Sequence, residues 1–260
     1  MKVKQWLVLL FILGVMSFGT TAYADWNFGI GTGLFNLHIE GDIGIHTNIA
    51  GPVEFDVDLD PDDTDDLLES AFGFGGFVTD GKWMINYSFS QLKLEGDDRE
   101  VLPNGSTVSA EMGFDVTGGE LTVGYPVYRG TSLNIRLLAG ARYTKHELES
   151  DITVDSGIGT IRLKTDIDED WTDALFGISV DVPFTEKWIW SNRFDAGYGG
   201  SEGTYNAYTG LTWRFYKYLS TTLYGRYTAV EFENGDKGDT DWYLYDVDEF
   251  GVGLSILLTW

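Results

Sequence analysis

The segment Phe250-Gly-Val-Gly-Leu-Ser-Ile-Leu-Leu-Thr-Trp260 restricts the fold of this chain more than any other. Extended, it puts Phe250, Val252, Leu254, Ile256, Leu258 and Trp260 on one face. Gly251, Gly253, Ser255 and Thr259 share the other, with only Leu257 out of type. A face of large apolar groups needs an apolar medium, and a face of small and polar groups needs a wet one. A strand standing between lipid and a polar lumen meets both needs at once. The expectation is an all-β, antiparallel, up-and-down transmembrane β-barrel. Its last strand would be the element recognised by the barrel-assembly machinery.

The opposite end of the chain agrees. Lys2 and Lys4 precede an apolar run over 6–18, and Ala22-Tyr23-Ala24 has the small-x-small form of a leader cleavage site. Residues 1–24 are therefore expected to be a cleaved signal peptide, and 25–260 a single barrel domain. The run is shorter than the roughly 20 apolar residues of a spanning helix, and no later segment approaches that length. Export combined with spanning strands points to the cell outer membrane of a Gram-negative organism, with outer-membrane lipid and lipopolysaccharide as surroundings. The absence of Cys removes disulfides, thiolate chemistry and Cys-based metal sites.

A net charge of −24 argues against a nucleic-acid partner, because phosphate recognition needs a basic footprint. The acids concentrate at 54–69, 147–173 and 231–249, which are expected in or beside outward-facing loops that gather divalent cations diffusely. The acidic run at 60–66 lacks the glycine and terminal glutamate of a calcium loop, so no dedicated metal site and no cofactor are implied.

Alternation predicts ten strands, near 26–35, 70–79, 82–94, 112–125, 132–144, 171–182, 187–198, 204–215, 219–230 and 243–260. Tight turns at 80–81, 126–130, 183–186 and 216–218 alternate with longer, more acidic connections, with 199–203 the short exception. Short turns face the periplasm in such barrels. Eight strands is one alternative, and twelve another if 40–69 adds a spanning hairpin. Asp60-Pro61 has the form of a helix start. One strand changes phase, from Met112, Phe114 and Val116 to Leu121, Val123 and Tyr125, and a β-bulge at Gly118-Gly119 is expected to restore one apolar face.

The runs Asp173-Ala-Leu-Phe-Gly-Ile178, Val182-Pro-Phe-Thr-Glu-Lys-Trp188, Phe194-Asp-Ala-Gly-Tyr-Gly199 and Leu223-Tyr-Gly-Arg-Tyr227 resemble a broad family of uncharacterised Gram-negative outer-membrane β-barrel proteins, small and porin-like. Leu138-Ala-Gly-Ala-Arg-Tyr143 and Asp65-Asp-Leu-Leu68 are similar to the same family. The resemblance implies the architecture and brings neither substrate nor catalytic residues. Phe194 to Gly199 departs from it in lacking paired glycines.

Parity opposite to the lipid stripes directs Glu120, Arg136, Arg142, Asp173, Asp181, Arg193, Asp195, Arg214 and Arg226 inward. Charges in a narrow interior must be paired, so the expectation is an ion-pair network that closes the lumen. The alternative is a constriction in which Arg136, Arg193 and Arg226 lie at similar depth and attract anions. For an enzyme the one candidate general base is His146 beside Glu147, with Ser150, Ser156 or Asp173 as partner. The omptin protease pattern is not matched, since no Asp-x-His occurs in the chain. The expected role is a non-enzymatic outer-membrane barrel, structural or allowing limited passage of small solutes. A surface-adhesion or ligand-binding barrel and an outer-membrane hydrolase are the alternatives.

Overall fold

The computed structural model describes residues 26–47, 51–101, 107–155 and 159–260. The expected signal peptide at 1–24 and Ser156 lie outside the described residues. The strands are β1 (Asn27–Thr47), β2 (Gly51–Leu59), β3 (Leu68–Thr79), β4 (Met84–Val101), β5 (Thr107–Arg129), β6 (Asn134–Asp155), β7 (Thr160–Pro183), β8 (Trp188–Tyr198), β9 (Gly203–Tyr216), β10 (Leu219–Asn234) and β11 (Tyr243–Thr259). A short helix, α1 (Pro61–Leu67), joins β2 to β3.

Neighbouring strands pair antiparallel from β3 round to β11, and β11 pairs with β1. Pairing of β1 with β3 closes a ring of ten strands. β2 pairs with β1 over Ile39 to Thr47 and stands outside that ring count. The segment at 40–69 therefore supplies an upper ladder and a helix, and not the spanning hairpin of the twelve-stranded alternative.

Local chemistry explains the junctions. The Asp80 carboxylate accepts from the backbone N–H of Lys82 at 2.8 Å and of Trp83 at 2.6 Å, with Gly81 at φ +81°. Thr185 plays the same part for Lys187 and Trp188, both at 3.1 Å. Asp60 caps α1, accepting from Asp62 and Asp63 while Asp63 bonds back to the Asp60 N–H at 3.2 Å.

The apolar stripe changes face along the barrel axis. Near the short turns and in mid-barrel it points outward, as with Leu254 and Ile256 on β11 and Leu223 on β10. Trp83, Trp188, Trp213 and Trp260 mark the lower edge of this band, and Tyr143, Tyr198, Tyr205, Tyr227 and Phe250 the upper. Above it the same strands turn their apolar residues inward. Ile39, Ile43, Ile45, Leu148, Trp171, Val230, Phe232, Tyr243, Tyr245 and Val247 pack into one buried core at the outer end.

This exchange corrects the expected β-bulge. β5 keeps an unbroken register with β4 from Thr107 to Gly124, so Gly118 and Gly119 lie in regular strand. Phe114 faces inward because it belongs to the outer core, and Leu121 faces outward because it belongs to the lipid band. Outside the membrane water surrounds the barrel, so burial is available only within.

Candidate functional site

Charged side chains occupy the lumen at the level of the apolar band. Glu120 on β5 stands directly across from Arg142 on β6, and Arg193 and Asp195 project from the same face of β8. Arg142 Nη2 donates to Glu120 Oε2 at 2.9 Å and to Asp195 Oδ1 at 2.7 Å. Arg193 Nη1 reaches Glu120 Oε1 at 2.6 Å and its Nε reaches Asp195 Oδ2 at 2.7 Å. Two guanidiniums and two carboxylates thus alternate in a closed, neutral quartet. The Asp195 side chain is wholly buried and also accepts from Asn206 at 3.1 Å. Gly177, paired with Asp195 across β7 and β8, makes the crossing feasible, because a Cβ there would collide with the Asp195 side chain.

The other expected lumenal charges are distributed differently. Arg136 pairs with Asp181, which also accepts from Ser191 at 2.7 Å. Arg226 lies 3.7 Å from Glu249 and over the Phe35 ring at 4.7 Å. Arg214 is exposed near the short-turn end. Asp173 stands at the position paired with Arg142, yet among the described residues it forms no ion pair with an arginine. It is fully buried, and it accepts from the N–H of Gly200 at 3.0 Å, the N–H of Ser201 at 2.8 Å and the Ser201 hydroxyl at 2.7 Å. Placing Asp173 in the arginine network is therefore corrected: its carboxylate holds the short outer turn between β8 and β9, which explains why that connection needs no long loop.

Arg136, Arg193 and Arg226 share one row of directly paired positions, through Ser179 and Tyr208. Such rows run perpendicular to tilted strands, so each step of about 4.8 Å shifts height by roughly 3 Å at a tilt near 40°. Arg193 accordingly meets Glu120, six residues beyond Pro126, which pairs with Arg136 in that row. The three arginines climb a spiral instead of lying at one depth, and each has its own acid.

The candidate base is enclosed. His146 is 1% exposed, bonded through Nδ1 to the Tyr243 hydroxyl at 2.9 Å and ringed by Phe114, Trp171 and Tyr245. Lying above the Tyr143 rim, it is held neutral by burial, with its pKa brought down to about 3. Glu147 faces the other way and pairs with Lys145 at 2.7 Å. The His146–Glu147 pairing suggested by their adjacency does not form.

Two arrangements escaped the sequence. His38 Nε2 lies 3.3 Å from Asp58 and stacks on Phe250, joining two strands whose pairing has no local signature. Tyr208, Tyr224 and Phe35 form an inward aromatic shelf, with ring centroids 5.5 and 5.8 Å apart. Of the glycines legible as a small face, Gly253 lets Tyr224 lean across β11 and Gly251 leaves room for the Asn36 backbone and the Phe35 ring. At the outer surface an acidic cleft of about 690 Å³ is lined by Asp66, Glu69, Glu95, Asp97 and Glu111. Glu69 beside Glu95 pushes the Glu95 carboxyl pKa up. Among the described residues no group of three or more His, Asp or Glu is arranged to hold a metal ion.

No protein-family model matches this chain, and no curated protein matches it. Solved structures do. The outer membrane protease OmpT from Escherichia coli is similar over 93% of this chain and 99% of its own, at TM-score 0.61 and 9% identity. The translocator domain of autotransporter NalP from Neisseria meningitidis covers 97% of this chain and 94% of its own at TM-score 0.45 and 11% identity. The attachment invasion locus protein of Yersinia pestis covers 90% of this chain and 98% of its own at TM-score 0.33 and 9% identity. At such identities the OmpT likeness establishes the fold, that of a bacterial outer-membrane β-barrel, and no activity.

Proposed function

We propose that this chain is a non-enzymatic outer-membrane barrel closed along its axis, a structural and surface component of the envelope that passes small solutes sparingly at most. The observation that carries this reading is the neutral Glu120–Arg142–Arg193–Asp195 quartet, whose side chains are 0 to 20% exposed. An open pore would leave such groups hydrated and free to select ions. The aromatic core at the outer end adds a second closure. Burial of His146 removes the one candidate base from contact with a substrate. The apolar outward band suits outer-membrane lipid, and the acidic rim suits divalent ions shared with lipopolysaccharide. Insertion would proceed through the barrel-assembly machinery acting on β11, after cleavage of residues 1–24.

Conductance across a planar bilayer tests the proposal. The purified barrel should give no steady ion current at neutral pH, and a persistent selective channel would reject axial closure. Turnover of peptide or lipid A by the same preparation would reject the non-enzymatic reading.

A further inference from the structure

β1 is paired continuously on one edge and discontinuously on the other. Its ladder with β11 runs from Gly29 to Ile45. On the opposite edge it pairs with β3 only from Asn27 to Gly31, and with β2 only from Ile39 to Thr47. Among the described residues, Thr32 to His38 therefore have no ladder partner on that edge, and neither do Leu68 to Phe74 of β3 on the edge facing them. The Thr32 hydroxyl bonds the Gly73 carbonyl at 2.6 Å and closes the foot of the gap. α1 and the end of β2 lie at its head.

Across the intact ladder the unpaired stretch stands opposite Ile256 to Phe250, within the lipid-facing band and reaching its outer rim. Exposure follows the gap. Thr32, Gly33 and Leu34 are exposed in succession, as are Leu68 through Phe72, so both faces are open and not alternate residues only. Unpaired backbone is not tolerated against hydrocarbon unless it also borders a wet cavity. The inner wall beside the gap suits one, being built of Gly31, Gly33, Ala71, Gly73, Ser88 and Ser90. On the outer side Leu34 is 83% and Phe72 52% exposed, beside the exposed polar Thr32, Asn36 and Ser70, so the rim offers apolar and hydrogen-bonding groups together.

A charged group overlooks this opening from within. Phe35, on the gap strand itself, ends the Tyr208–Tyr224 shelf and carries the Arg226 guanidinium on its ring. Arg226 has the most exposed side chain of the ion-paired lumenal arginines, at 41%, and its 3.7 Å pair with Glu249 is looser than any in the quartet. We propose that the gap between β1 and β3 is a lateral portal for a single-chain amphiphile, whose alkyl tail stays in the outer half of the bilayer against Leu34 and Phe72 while its anionic oxygen head group enters the lumen and bonds Arg226. A carboxylate and a phosphate offer the same chemistry to a guanidinium. The portal leads sideways and is independent of axial closure, so conductance does not decide it.

The chain has no Cys, so Leu34→Cys with Phe72→Cys can be bridged by a short bis-maleimide without other reactions. Wild type, the bridged and unbridged double variant, and Arg226→Gln would be reconstituted in phosphatidylcholine vesicles with diazirine-tagged dodecanoate, dodecyl phosphate or dodecyltrimethylammonium. Irradiation and peptide mapping should place label from an anionic probe at 33–35 and 71–73. That label should fall at least about tenfold on bridging and on Arg226→Gln, and be absent with the cationic probe. Labelling by dodecanoate alone or by dodecyl phosphate alone identifies the head group. Labelling by neither overturns the proposal, as does anionic labelling unchanged by the bridge, while equal labelling by the cationic probe overturns the role of Arg226. Amide exchange gives a readout independent of any probe. The amides of Gly33, Phe35 and Leu37, which point into the gap, should exchange at least about 100-fold faster than those of 251–255, while Leu34 and Asn36, bonded to β11, stay protected, and equal protection throughout would mean that the seam is closed.

Discussion

Replacing Asp195 by Asn would remove one of two negative charges from a cluster that has two positive ones. Glu120 would be left between Arg142 and Arg193, with one guanidinium charge uncompensated beside a side chain that is 0% exposed. Breaking a buried ion pair by deleting one partner costs about 3–5 kcal/mol. The arginines retain 15 and 20% exposure, so the lower end, about 3 kcal/mol, is expected for Asp195→Asn. Adding Arg193→Met restores neutrality, because the Glu120–Arg142 pair at 2.9 Å then stands alone. The double variant should be more stable than the sum of the single effects by about 2 kcal/mol. Urea unfolding in lipid vesicles, followed by tryptophan fluorescence, measures each corner of the cycle. The difference should change little with salt, since buried pairs are weakly screened. A single variant within about 0.5 kcal/mol of wild type, or singles that add within that margin, would refute the closed quartet.

Three further outcomes are expected. Leu254→Lys, which puts a charge against lipid, should cost about 2–4 kcal/mol near the midplane, whereas Ser255→Lys should be milder, and equal membrane yields would show the parity of β11 to be inverted. His146 is neutral in both folded and unfolded chains above pH 6.5, but as the pH falls toward about 3 only the unfolded chain takes a proton. Stability is thus fully present at neutral pH and is lost on acidification by up to about 1.4 kcal/mol per pH unit, a slope that melting curves at pH 7, 5 and 4 should show and His146→Phe should flatten. Asp173→Ala leaves two backbone donors and the Ser201 hydroxyl without their acceptor, so amide exchange at 199–203 should accelerate and stability fall by about 2–4 kcal/mol, and unchanged exchange there would deny its role in the turn.

Period-two alternation and turn chemistry act over a few residues, so both are readable one residue at a time. The ten ring strands, the Asp80-Gly81 turn, the Asp60 cap and the inward direction of Glu120, Arg142, Arg193 and Asp195 follow from them. What alternation cannot convey is which medium lies on each side of a strand. Phe114 and Leu121 occupy opposite faces of one regular strand because water surrounds it at one height and lipid at another. Partner choice is likewise global. The tilt of the closed sheet carries Arg193 to Glu120 three strands away, spreads three arginines up a spiral, and leaves Asp173 to the outer turn. The break between β1 and β3 is the furthest from local signals. Thr32 to His38 form a regular ladder with β11, and only closure of the ring decides that their other edge has no strand partner among the described residues, because hydrogen-bond pairing depends on where another part of the chain arrives.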